Sequence, residues 1–116
     1  MKPEARKLLF DARQAATAIQ EFCAGHSLES YQQSMLLRSA VERQFEIIGE
    51  ALSQLSKLDA ALVARIPDAP QIISFRNQLI HGYATISNKL VWSVVIDHLP
   101  GFISVIAGLL AEGETP

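Results

Sequence analysis

At 116 residues and 12.7 kDa the chain has room for one hydrophobic core, so a single domain over residues 1–116 is expected. Apolar residues make up 49% and charged residues 19%, a globular composition that excludes a disordered tail. Ten Lys and Arg against twelve Asp and Glu leave a net charge of -2, so no overall basic field draws it to nucleic acid, and any phosphate must be held by a local group of cations.

A single cysteine, Cys23, excludes an internal disulfide framework or a multi-cysteine zinc site. The first residues break their apolar run with Lys2, Arg6, Lys7, Asp11 and Arg13, unlike a signal peptide. No apolar run reaches the roughly eighteen residues of a membrane span. The expectation is a cytoplasmic protein with no membrane segment.

Along the chain, Leu8, Ala12, Ala15, Ile19 and Phe22 fall on one face of a first helix, and Gly25 offers it a left-handed stop. Ser27 can cap a second segment whose apolar positions are Leu37, Val41, Phe45, Ile48, Leu52 and Leu55. The spacing predicts one long helix from about Leu28 to Lys57, roughly 45 Å of spine for the fold. Gly49 in its middle costs about 1 kcal/mol relative to alanine, a loss that close approach of another helix would explain.

Asp59 caps a short helix ending at Pro67, and Pro67-Asp68-Ala69-Pro70 breaks the chain. A third helix is predicted from about Pro70 to Gly82, with proline at a tolerated first position. After a loop around residues 84–87, a last segment carries Val91, Val95, Leu99, Phe102, Ile106 and Leu109, bent or split at Pro100-Gly101. No stretch reads as a strand. The fold class is all-α, an up-and-down bundle of four to five helices.

The chemically capable residues concentrate in Phe75-Arg76-Asn77-Gln78-Leu79-Ile80-His81-Gly82-Tyr83. Arginine supplies a permanent planar cation suited to phosphate oxygens, and histidine gives or takes protons near neutrality. Asn77 and Tyr83 add hydrogen-bonding groups, and Gly82 lets the backbone turn away. On a regular helix Arg76 and His81 lie about 140° apart. They meet if the helix distorts at its end or if a second copy faces the first. Metal-free RNA cleavage by a 2′-hydroxyl needs one group to remove a proton and another to return one, and a two-fold dimer offers two motif histidines. Taken alone, an arginine and a histidine five apart serve ion pairing and helix capping more often than catalysis.

Glu42, Glu46 and Glu50 form a carboxylate stripe on the long helix. No Glu-x-x-His pair accompanies it, so no metal site is expected, and pairing with Arg38, Arg43 or Arg76 is the simpler use. Either Glu46 or Glu50 could orient Arg76 across packed helices. Cys23 reads as a small core residue, and His26 and His98 as structural or surface groups. Lys2, Arg6 and Arg13, with Arg38 and Arg43, read as a solvated face or as a local surface for RNA.

The string RNQLIHGY resembles the R-x4-H-x-Y motif of the HepT-like family in the HEPN superfamily. The segment from Val41 to Ala51 is similar to the family's second-helix pattern. Val91-Trp92-Ser93 and Leu99-Pro100 fit its C-terminal half, so the likeness runs from about Leu36 to Ile106. The resemblance implies an all-α, dimerising ribonuclease that needs no metal or cofactor. It implies the toxin of a toxin–antitoxin pair whose partner is an MntA-like minimal nucleotidyltransferase. Arg76 would hold the reacting phosphate, His81 would move protons at a dimer-interface site, and Asn77 would support them. Tyr83 matches the motif tyrosine that receives AMP from the antitoxin. Adding that group would repel and block RNA. The alternative is a non-catalytic helical subunit that docks onto a minimal nucleotidyltransferase.

Overall fold

Proline at the first position, where no intrahelical donor is missed, opens α1 (Pro3–Cys23). The helix buries Ala5, Leu9, Ala12, Ala15, Ala16, Ile19 and Cys23. Ala12, Ala15 and Ile19 of the expected face are buried, Leu8 packs half-buried against the core beside the fully buried Leu9, and Phe22 is exposed. Four of the buried residues are alanines, whose small side chains let α1 lie close along its neighbour. Gly25, with φ at +78°, turns the corner after it. The structure, a computed structural model, describes residues 1–81 and 87–113.

The single long helix predicted from Leu28 is two helices, α2 (Leu28–Gln33) and α3 (Met35–Leu58). Ser34 between them is extended, with φ -109° and ψ 101°, and its hydroxyl accepts the Leu37 N–H at 3.1 Å. Ser27 and Ser30 form a capping box at the start of α2. Serines that bond to nearby backbone thus compete with helix continuation at both starts. The break frees α2 to bury Tyr31, whose ring meets Trp92 at 5.5 Å between centroids.

Asp59 accepts the Leu62 N–H at 3.1 Å and starts the single turn α4 (Ala60–Val63). Next come α5 (Ala69–Ile80), α6 (Asn88–Asp97), capped by Ser87, and α7 (Leu99–Gly113). A bend of 47° separates α6 from α7, with Pro100 tolerated in the first turn of α7. Seven helices are present among the described residues, five of them ten residues or longer. The fold is an all-α bundle.

α3 is the spine. It packs against α1 on one side and α5 on the other, and α7 closes over α1. Phe45 of α3 and Phe75 of α5 form a tilted ring pair at 5.1 Å, within the favourable aromatic range. No single helix among the described residues is long and apolar enough to cross a membrane. α6 and α7 together would be, but the bend parts them. They also bury Val91, Val95, Leu99, Phe102, Ile106, Leu109 and Leu110 in the core.

Candidate functional site

Phe75 turns into the core, and the next residue, about 100° further round α5, is delivered to the surface of α3. Arg76 lies there with its stem over Gly49. Its Nη2 donates to Glu50 Oε2, and its Nη1 donates to Asn77 Oδ1 at 2.9 Å. The third guanidinium nitrogen, Nε, is buried without a hydrogen-bond partner. The other oxygen of Glu50 accepts from Gln54 Nε2 at 3.0 Å. Gln54, Glu50, Arg76 and Asn77 are therefore one hydrogen-bonded chain spanning two helices. The Gln54 amide, and after it the charge of Arg76, hold the Glu50 carboxyl below its ordinary range, while desolvation opposes them.

Gln54 drew no attention in the sequence, although its place one helical turn after Glu50 was the available signal. Glu46 has a different neighbour, Arg43, at 3.8 Å. Both carboxylates border a groove of about 570 Å³ between α1, α3 and α5, which Lys7, Asp11, Gln54, Arg76 and Ile80 also line.

His81 caps the C-terminus of α5, its backbone N–H bonded to the Asn77 carbonyl at 3.1 Å, and its side chain is exposed. α5 stays regular through Ile80. Histidine and arginine are therefore separated by about 7.5 Å of axial rise and the rotation of an undistorted helix. Arg76, Asn77 and Glu50 are brought together; His81 stands at the helix end. Gly82 and Tyr83 lie outside the described residues.

The basic residues of α1 are partly turned to their own chain. Arg6 donates to the Leu110 carbonyl at 2.9 Å, tying α1 to the last turns of α7, and Arg13 stacks over Phe10 at 5.5 Å. Lys7 pairs with Asp11 at 2.9 Å, and Arg38 donates to the Gln32 carbonyl. Cys23 is buried. His26 Nδ1 lies 3.0 Å from the Ser30 hydroxyl, and His98 is an exposed cap of α6.

Fold and site together define a small all-α protein with an arginine braced by carboxylate and amide near the end of one helix and a histidine capping that helix. Residues 12–108 match the ribonuclease HepT-like family, and the chain belongs to it. A Methanocaldococcus jannaschii protein named as a candidate RNase is 26% identical over 115 residues, covering 97% of this chain and 93% of the relative. A Thermococcus cleftensis protein named Probable ribonuclease HepT is 29% identical over 100 residues, 86% of this chain and 90% of its own. A Caldanaerobacter subterraneus protein, also named as a candidate RNase, is 30% identical over 76 residues, 66% of this chain and 67% of its own. No solved structure matches the chain significantly.

Proposed function

We propose that the chain is a metal-independent endoribonuclease, the toxin of a toxin–antitoxin pair, working as a homodimer. The observation that carries this reading is the seating of Arg76. A permanent cation is held in one orientation by Glu50 and Asn77, five residues before His81, in a chain of the ribonuclease HepT-like family. Arg76 binds the non-bridging oxygens of the scissile phosphate and stabilises the charge that gathers on them in the transition state. One histidine takes the proton of the 2′-hydroxyl as its oxygen attacks the neighbouring phosphorus. A second returns a proton to the 5′-oxygen as that bond breaks, leaving a 2′,3′-cyclic phosphate and a 5′-hydroxyl. One chain carries one motif histidine, so a two-fold pair supplies both, and the exposed place of His81 at the end of α5 suits a reach towards a second copy.

The partner in this reading is an MntA-like nucleotidyltransferase that transfers AMP from ATP to the Tyr83 oxygen, which gives up its proton as pyrophosphate leaves. The added phosphate charge and nucleoside bulk then exclude RNA from the cleft.

The test is RNA cleavage in EDTA by antitoxin-free wild-type protein beside His81→Ala and Arg76→Ala. Cleavage that leaves cyclic or 3′-phosphate ends, and that is absent in both variants, is expected. Metal-dependent cleavage, or full activity of His81→Ala, would overturn the assignment. A chain that cuts nothing with Tyr83 unmodified, yet forms a stable complex with a nucleotidyltransferase, would be the non-catalytic subunit instead.

A further inference from the structure

Gly49 is the position at which the backbone of α3 comes closest to the site. A β-carbon built on it would overlap both Cβ and Cγ of Arg76, far inside van der Waals contact. Gly25, Gly101 and Gly108 have nothing within 4 Å of such an atom. Among the glycines placed this way, close approach is confined to the one that meets Arg76. Gly49 is buried in mid-helix, where alanine would favour the helix, and ordinary packing would tolerate an alanine if α5 sat slightly further out.

What the closer seat achieves shows along the same side chain. The arginine stem lies directly on the backbone at 49, its Nε is buried, and the guanidinium arrives at the carboxylate of the very next residue, Glu50. Asn77, adjacent to Arg76 on α5, holds the other terminal nitrogen. The floor and the clamp of the site are thus consecutive residues of α3.

We propose that Gly49 is a positioning residue for Arg76: its missing side chain seats the arginine stem on α3, so that Glu50 and Asn77 hold the guanidinium where a phosphate meets it. The last clause rests on the ribonuclease reading; the seating does not. A methyl group at 49 must push α5 outward or swing the stem aside, and either moves the guanidinium by about an ångström. A shift of that size at a reacting centre costs about a hundredfold in rate.

The test places Gly49→Ala in the wild-type chain and in an Arg76→Gly chain and follows thermal unfolding of all four proteins. Tm is expected to fall in the first background and to hold or rise in the second, where the overlapping atoms are gone and alanine is the better helix former. Equal changes in both backgrounds would overturn the proposal, as would failure of the double variant to fold when Arg76→Gly alone folds. Two readouts on Gly49→Ala go beyond packing. In an NMR titration the Glu50 carboxyl should move up towards the ordinary glutamate range as the guanidinium withdraws, and RNA cleavage should fall about a hundredfold. An unmoved titration, or undiminished cleavage by the folded variant, would each count against the seating role. If wild-type protein cuts no RNA, the ribonuclease reading fails by itself, while the stability cycle and the titration still decide the role of Gly49.

Discussion

The three glutamates of α3 share a face, yet each has a different fate, and the difference comes from what lies opposite. Glu50 meets Arg76 because α5 crosses α3 at Gly49; Glu46 neighbours Arg43; Glu42 lies near Arg38 and the buried Tyr31. Four-residue spacing shows that the carboxylates align, but it holds no information on where another helix crosses. For that reason the sequence left Glu46 and Glu50 equivalent. Replacing Glu50 by Gln keeps the shape and removes the charge. With less negative charge beside it Arg76 should bind RNA more tightly, but with looser orientation, so steady-state cleavage should show kcat down about tenfold and KM lowered.

Glu50 also has a pH signature, set first by the Gln54 amide and after it by Arg76. The folded Glu50 carboxyl is lowered, so its contribution to stability is present at and above the ordinary glutamate range. It is lost only as pH falls through the depressed folded value. The Tm difference between wild type and Glu50→Gln should therefore be largest near neutrality and close in acid. Glu42 runs the other way. Desolvation raises its carboxyl, with Arg38 opposing and Glu46 adding to the rise. Its ionised form is a burden on the folded state above the folded pKa, and none below the unfolded one. Glu42→Gln should therefore raise Tm at pH 7 and lose that advantage below about pH 4, which unfolding curves across pH would check.

At the scale of elements, periodicity located every long helix but not every break. The stretch from Leu28 to Leu58 keeps helical spacing throughout, and serine is both a tolerable helix residue and a strong cap. Taking the capping role at Ser34 lets Tyr31 pack on Trp92 of α6, a residue more than sixty positions further along the chain, which helical spacing alone does not reveal. On α1 the expected face held Ala12, Ala15 and Ile19, which are buried, but left out Ala5 and Ala16 and took in the exposed Phe22, because a small alanine marks a hydrophobic face more weakly on paper than a large residue does. Ser34→Ala removes the acceptor of the Leu37 N–H and should cost about 1 kcal/mol, or roughly 4 °C in Tm. Thermal unfolding measures that loss. A rise in helicity by circular dichroism, with the emission of Trp92, the one tryptophan, moving to the red as Tyr31 leaves it, would show instead that α2 and α3 had fused.

At the scale of the whole molecule, one chain contributes one arginine, braced on α3, and one motif histidine at the end of α5. Two-step proton transfer asks for two proton-moving groups. Whether chains pair is the question least legible in the sequence, because an apolar residue left exposed, such as Leu90 or Ile96 on α6, carries the same hydropathy as a buried one. Mixing subunits makes the requirement measurable. Wild-type and His81→Ala chains, unfolded together and refolded at equal amounts, should pair at random if the substitution leaves the fold intact. If every active site needs both histidines, only wild-type pairs cut RNA, and activity falls to about one quarter of that of the same total amount of wild-type protein. If each chain works with its own histidine alone, activity falls only to about one half. A series of mixing ratios separates the two cases, since activity follows the square of the wild-type fraction in the first and the fraction itself in the second. A linear series would show that the second proton-moving group comes from somewhere other than His81 of a second copy.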